Sequence, residues 1–263
     1  MQHKGFVSLV GAGPGDADLL TVKALRLLNQ ADVVVYDRLV SADILDLIPA
    51  GVSRISVAKA PGRHCVPQHR INEIIVNLAR AGRRIVRLKG GDPYMFGRGG
   101  EEVLALRQHN IEFEVVPGIT AASGCSAYAG IPLTHRGMSR SVRFMTGHFS
   151  NDEPLDIDWD KAADPDCTLV IYMGLANLEH ICERLISTGL SASTPAAAIE
   201  NGTSGRQQRV LSQLDRLHQA VMINDLKAPV MIIIGDVVSL ADELDWFQQT
   251  LEDTGYEKTA AGH

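Results

Sequence analysis

Two short apolar runs in the first hundred residues each break into a glycine-rich turn that carries an acid. FVSLV at 6–10 enters GAGPGD at 11–16, and RIVRL at 84–88 passes Lys89 into GGDP at 90–93. Five such residues make a strand, and a glycine turn followed by a helical stripe marks a strand feeding a helix. Residues 18–30 supply that stripe with Leu20, Ala24, Leu27 and Leu28, and Asp16 or Asp18 stands where a cap belongs. The alternation continues with strand 32–36 ending at Asp37, a helix near 41–48 and a strand near 54–58. A helix opened by Pro67 and stopped by Gly82 follows, then helix 99–109 and strand 113–116. A crossover helix returns the next strand parallel to the last, so the pattern predicts α/β with largely parallel sheets.

Pro117-Gly118 ends the fifth strand and turns the chain, which divides it into domains 1–117 and 118–250 with a tail at 251–263. The second domain reads as helix 120–129, rich in small residues, with strands at 142–146, 168–173, 196–200 and 230–234. Helices fit 175–187, 209–223 and 239–251, and the Asp- and Pro-bearing stretch 150–166 reads as a surface loop. At about 100–200 residues per domain, a chain of 263 suits one large or two small domains. With 45% apolar and 21% charged residues it can bury a sizeable core.

Charge and composition exclude several classes. Lys plus Arg number 25 against 31 Asp plus Glu, a net of −6, which is the wrong sign for a general nucleic-acid or anionic-membrane binder. An anionic substrate would have to be held by local arginines. No apolar run approaches the roughly 18–20 residues of a bilayer span, and the run after Lys4 is too short for a signal peptide. Cys65, Cys125, Cys167 and Cys182 form no CxxC pair, which predicts free thiols in a reducing cytoplasm. His64 and His69 are five apart with Pro67 between them, so no helical metal pair is expected.

GAGPGD sits where a doubly wound fold binds its ligand, and three readings are open. The first is a dinucleotide fingerprint with Asp37 as the ribose acid. Against it, Asp16 replaces the third glycine and puts negative charge where a pyrophosphate would lie, and Pro14 removes a backbone donor. The second is a merely structural tight turn. The third is a nucleoside ligand without phosphates. GGDP repeats the theme: Asp92 either offers a carboxylate to hydroxyls or a cation, or only caps its own turn. Two glycine turns with acids and no P-loop lysine suit S-adenosylmethionine, which has a ribose, an adenine, an amino acid and a sulfonium but no phosphate.

Several ordered motifs carry a resemblance. These are VGAGPGDADLLTVKA at 10–24, YDRLV at 36–40, RLKGGDPYMFGRGGEE at 87–102, VVPGITAASGCSAYAGIPLTHR at 115–136, TGH at 146–148, YMG at 172–174 and ENGT at 200–203. Together they resemble the uroporphyrinogen-III C-methyltransferases, including the C-terminal methyltransferase portion of siroheme synthase, over roughly residues 5–247. No room is left for that protein's N-terminal dehydrogenase/ferrochelatase module, so a stand-alone methyltransferase is expected. The resemblance implies a homodimer of two αβα domains, in the tetrapyrrole methylase fold, with the active site in the cleft between them. It implies two methyl transfers from S-adenosylmethionine to uroporphyrinogen III, on rings A and B, giving precorrin-2 through precorrin-1 and releasing S-adenosylhomocysteine, without a metal.

Matching motifs assign residues. Pro14, Gly90, Gly91, Asp92, Met95, Thr120, Ala121, Met173 and Gly202 would contact the methyl donor. Asp37 and Lys59 fall where the family places a proton acceptor and donor, although the run Ala58-Lys59-Ala60-Pro61-Gly62-Arg63-His64 departs from the family pattern around the lysine. Arg98, Glu101 and Arg136 match positions linked to the tetrapyrrole. Arg98 and Glu101 are also spaced for a surface ion pair, Thr120 for a helix cap and Met173 for core filling. Arg140, Arg143 and Arg63 are further candidates for the substrate carboxylates, since a guanidinium grips a carboxylate bidentately. A carboxylate such as Asp37 would act late, taking a proton from the alkylated cationic ring or only stabilising that charge. The alternatives are the same fold acting on another substrate, such as a later corrin precursor or a diphthine precursor, an NAD-dependent oxidoreductase, and a ligand sensor without turnover.

Overall fold

The computed structural model describes residues 5–58, 66–148 and 157–247. The chain divides into two compact units, Met1–Ala121 and Ala122–His263. The first holds strands β1 (Phe6–Gly11), β2 (Val33–Tyr36), β3 (Ser53–Ser56), β4 (Arg84–Lys89) and β5 (Glu112–Val116). They form one sheet in the order β3-β2-β4-β1-β5, parallel throughout. Helices α1 (Val22–Gln30), α2 (Ala42–Asp46), α3 (Gln68–Arg80) and α4 (Gly99–Gln108) are its crossovers.

Side-chain alternation divides the apolar residues of this sheet between two faces. Val10, Val34 and Val86 pack with Ala24, Leu28 and Ile44 of α1 and α2. Val7, Val33, Val35 and Ile85 pack with Ile71, Ile75 and Leu106 of α3 and α4. The first unit is therefore a three-layer αβα body. The cap of α1 is not the expected aspartate. Asp16 caps a short 3-10 turn at Ala17–Leu19, accepting from the Asp18 N–H at 2.9 Å, whereas α1 starts later and is capped by Thr21 Oγ1 on the Ala24 N–H at 3.1 Å.

The second unit departs further from expectation. Its elements are α5 (Ala121–Tyr128), whose first residue lies at the unit boundary, β6 (Ser141–Thr146), α6 (Trp159–Ala162), β7 (Cys167–Tyr172), α7 (Leu178–Ser187), β8 (Pro195–Glu200), β9 (Gln208–Gln213), α8 (Leu217–Ile223) and β10 (Val230–Ile234). The sheet runs β6-β7-β10-β8-β9. Only β6 and β7 pair in parallel; β10 lies antiparallel to both β7 and β8, and β8 and β9 are antiparallel. The expected helix 209–223 is thus a strand followed by a shorter helix. In place of the start of helix 239–251 stand a 3-10 segment, Asp236–Leu240, and turns; residues from 248 onward lie outside the described residues. Among the described residues no helix is long and apolar enough to cross a membrane.

Candidate active site

Gly11 at the end of β1 stands in register with Lys89 at the end of β4, so the two glycine turns leave the sheet side by side. They are bonded to each other. The Gly13 N–H donates to the Gly91 carbonyl at 3.1 Å, and the Gly91 N–H donates back to the Gly13 carbonyl at 2.7 Å. Both residues take positive φ, +78° and +66°. Gly118 packs against the pair, and a Cβ on Gly11 or Gly118 would strike backbone of the other or the Gly91 carbonyl oxygen. A Cβ on Gly91 would come within 3.6 Å of the Ala121 nitrogen and 4.0 Å of the Thr120 Cα. Pro14, Gly90, Gly91, Asp92, Thr120 and Ala121 are therefore gathered at the carboxyl end of one parallel sheet, where open α/β folds bind ligands.

The same bonds bear on the dinucleotide reading. A pyrophosphate cradle needs free N–H groups, yet those of Gly13 and Gly91 are committed to each other. The Asp92 carboxylate is committed as well: Oδ1 accepts from the Tyr94 N–H at 2.8 Å and Oδ2 from the Gly118 N–H at 3.1 Å. It caps its own turn and ties it to the Pro117-Gly118 loop. The following loop is wound around the Pro93 carbonyl, with Gly97 and Gly99 too close to it for a Cβ. Phe96 and Arg98 take φ of 53° and 58°, and Tyr94, Phe96 and Arg98 are exposed. Half-buried Met95 lies in this loop, its N–H donating to the Asp92 carbonyl at 3.4 Å. Arg98 and Glu101 form a two-pronged pair, Nε to Oε1 at 2.8 Å and Nη2 to Oε2 at 2.7 Å. That hydrogen-bonded pair raises the Arg98 pKa and holds the Glu101 carboxyl below its usual range.

Asp37, just past β2, borders a group of three buried charges. On β4, Ile85, Arg87 and Lys89 share the face beneath α3 and α4, apolar at one end and doubly cationic at the other. Arg87 and Lys89 are 1% and 4% exposed, and Glu102 of α4 is 1% exposed. Glu102 Oε1 accepts from Arg87 Nε at 3.0 Å, Lys89 Nζ at 3.2 Å and Gln68 Nε2 at 3.2 Å. Arg87 Nη2 donates to Asp37 Oδ1 at 2.7 Å, and Lys89 Nζ lies 3.7 Å from Asp37 Oδ2. Burial, and after it the Arg87 cation, hold the Lys89 ammonium below the usual lysine range against the pull of Glu102 and Asp37. Asp37 is the open member, with 29% of its side chain exposed. Sequence reasoning passed over Arg87, Lys89 and Glu102. The signals were two cations at i and i+2 in a central strand, and Glu102, not Glu101, four residues before buried Leu106.

In the second unit, Met173 directly follows β7, is 50% exposed and has a φ of 54°. It is not core filler. The Gly147 N–H donates to the Tyr172 carbonyl at 2.7 Å and Asn177 Nδ2 donates to the Gly147 carbonyl at 2.6 Å, which holds TGH against YMG. The Tyr172 hydroxyl accepts from the Ala122 N–H of α5 at 3.2 Å. Gly202 lies against Cys125 of the same helix, so closely that a Cβ would collide with the sulfur. Burial pushes the Cys125 thiol up to about 12. Tyr172, which precedes Met173, and Gly202 are thus both held against α5. Arg136 is exposed, in a turn closed by paired hydrogen bonds between His135 and Ser139. Arg140 is exposed, and Arg143 has a buried Nη1 with no hydrogen-bond partner among the described residues. Lys59 and Arg63 lie outside the described residues. Among the described residues no group of three or more His, Cys, Asp or Glu could hold a metal.

Comparison with known proteins adds a family. The family model described as tetrapyrrole (corrin/porphyrin) methylases matches residues 7–218. Siroheme synthase of Pseudomonas aeruginosa (strain LESB58) is 55% identical over 249 residues, which is 95% of this chain and 53% of that protein. The chain therefore spans about half the length of the curated relatives it matches. Among solved structures, the uroporphyrin-III C-methyl transferase from Thermus thermophilus complexed with S-adenyl homocysteine superposes with a TM-score of 0.76 at 38% identity, covering 89% of this chain and 99% of that one. A cobalt precorrin-4 methyltransferase of cobalamin biosynthesis gives 0.79 at 28% identity, covering 89% and 95%. With a family model spanning most of its length and these relatives, the chain belongs to the tetrapyrrole (corrin/porphyrin) methylase family.

Proposed function

We propose that this protein transfers methyl groups from S-adenosylmethionine to two pyrrole carbons of uroporphyrinogen III, on rings A and B, giving precorrin-2 and S-adenosylhomocysteine. The observation that carries this reading is the match to a transferase of that name, over 99% of its chain, in a structure holding the spent donor. The TM-scores alone do not choose the substrate, since a precorrin-4 methyltransferase superposes as well. The 55% identity to siroheme synthase and the THR and RGGEE motifs favour the early tetrapyrrole.

The residues present fit the donor. The glycine turns offer close backbone approach, while the N–H groups of Gly13 and Gly91, which a phosphate would need, are taken. Half-exposed Met173 on a left-handed backbone is an apolar side chain held out of the core, suited to an adenine or a thioether. When bound, S-adenosylmethionine supplies a methyl on a sulfonium, which the electron-rich pyrrole carbon attacks in line, leaving a neutral thioether and a cationic ring. Pro14, Gly90, Gly91, Asp92, Met95, Thr120 and Ala121 of the first unit, and Met173 and Gly202 of the second, bind the donor, Asp92 through its backbone. Arg98, Glu101 and Arg136 bind the tetrapyrrole, and the Arg98 fork exchanges Glu101 for a substrate carboxylate of similar geometry. Asp37 faces the ring and accepts its proton or steadies its charge; Lys59 completes the pair. The enzyme works as a cytoplasmic homodimer, which sedimentation of the purified protein checks.

Anaerobic incubation with S-adenosylmethionine and uroporphyrinogen III tests the reading. The absorbance of precorrin-2, or of sirohydrochlorin after oxidation, is expected. A folded sample that binds S-adenosylhomocysteine but moves no labelled methyl to this porphyrinogen would turn the reading toward another tetrapyrrole. One that binds NAD and not S-adenosylhomocysteine would overturn it.

A further inference from the structure

The three buried charges and Asp37 form a closed ring. Glu102 sits at the back, Asp37 at the open front, and two cations bridge them in parallel: Arg87 reaches from Glu102 to Asp37, and Lys89 lies between the same two carboxylates. Arg87 is further pinned by Nη1, which donates to the carbonyls of Val35 at 3.4 Å and Leu88 at 3.2 Å. Two neighbouring cations on one face of a central strand are a poor way to fill a core. Hydrophobic residues of like volume commonly serve stability as well or better. The arrangement makes sense if its product is the placement of the exposed member.

We propose that Lys89 and Glu102 are positioning residues for Asp37: Glu102 gathers both cations on one oxygen, and the cations fix the Asp37 carboxylate toward the substrate. The proposal rests on the reading of Asp37 as the group that faces the ring. Glu102 Oε2 is buried and has no hydrogen-bond partner among the described residues, whereas Oε1 receives three donors. A carboxylate serving only to neutralise charge would spread its donors over both oxygens. Here the lopsided grip sets where Arg87 and Lys89 stand, and through them Asp37.

The test is a double-mutant cycle on the full chain with Lys89→Met, Glu102→Gln and Asp37→Asn. Each of the first two is expected to lower kcat by about 10–100-fold, the scale of a displaced group, with KM for the tetrapyrrole and affinity for S-adenosylhomocysteine unchanged. In the Asp37→Asn background the same substitutions should cost nothing further, and Lys89→Arg should restore part of the loss. Should Lys89→Met fail to fold, Glu102→Gln, which keeps size and acceptor, carries the cycle. Losses that multiply across the cycle would overturn the proposal. Crystal structures of the same variants give a readout that needs no turnover. The Asp37 carboxylate should swing away from its wild-type position, and an unmoved carboxylate also overturns the proposal. If the wild-type protein does not methylate uroporphyrinogen III at all, the assigned substrate fails, and the crystallographic result still judges the positioning.

Discussion

Met173, the first residue past β7, holds a backbone conformation that costs an L-residue roughly 1–2 kcal/mol and that glycine adopts freely. Its half-exposed side chain recovers little of that by burial. Strain held at a strand's end with so little packing return points to a use for the side chain. Met173→Gly should therefore melt higher, by about 0.5–1 kcal/mol after the looser unfolded chain is counted, and should bind S-adenosylhomocysteine more weakly. Thermal melts and titration calorimetry read the two signs separately; a lower melt or an unchanged affinity refutes the argument. Gly202 gives the opposite case. Its backbone φ is not among the positive ones, so Gly202→Ala isolates the collision with Cys125 and should cost about 1–3 kcal/mol. Cys125→Ala in the same chain should return most of it, and a double variant no more stable than Gly202→Ala would place the cost elsewhere. At this scale the motifs were legible in the sequence, and their partners less so. GGDP announces a turn, but only coordinates show that the Asp92 carboxylate is spent on Tyr94 and Gly118. Glu101 and Glu102 are adjacent and identical in type, and only the helix phase relative to Leu106 separates the exposed acid from the buried one.

Asp32 joins two elements at their amino ends. It precedes β2 and accepts from the backbone N–H of Arg84, the first residue of β4, at 2.8 Å, and from its guanidinium at 3.2 Å. The Arg84 N–H, and then the guanidinium, hold the Asp32 carboxyl below the usual carboxylate range. A depressed folded-state pKa contributes stability that is present above the unfolded value of about 3.9 and is lost as pH falls through the folded value. Asp32→Asn should accordingly lower the melting temperature at pH 7, and the gap from wild type should close as pH drops below 4. A gap that stays constant with pH would mean the ion contributes nothing. The element order of the first unit follows from its alternating strands and helices, since crossovers force parallel neighbours. In the second unit direction was illegible. β10 (VMIII) is buried throughout, the look of a central parallel strand, yet both of its neighbours run antiparallel. Val210, Leu214, Leu217 and Val221 fall at helical spacing and all enter one core, but Val210 reaches it from β9 and Leu217 and Val221 from α8. A period of 3.6 ran across a strand–helix junction and read as one helix.

Across the whole molecule, Met1–Ala121 and Ala122–His263 each contain a sheet and cores of their own. The cores of the first, around Leu28 and around Ile75, share no residue with that of the second, around Leu185. Units of this size commonly unfold cooperatively by themselves. Scanning calorimetry of the donor-free protein should then show two components. Leu28 and Leu185 are both fully buried, and Leu→Ala at such sites costs about 2–5 kcal/mol, a midpoint shift on the order of 10 °C for a unit of this size. Leu28→Ala should move one component and Leu185→Ala the other. Saturating S-adenosylhomocysteine should raise what it binds by about 2.7 kcal/mol at a hundredfold excess over Kd. Since the proposed donor residues come from both units, both components should rise. If both substitutions instead lower a single transition whose calorimetric and van't Hoff enthalpies agree, the two bodies melt as one. If the donor analogue raises only one component, the residues assigned to it from the other unit are wrong.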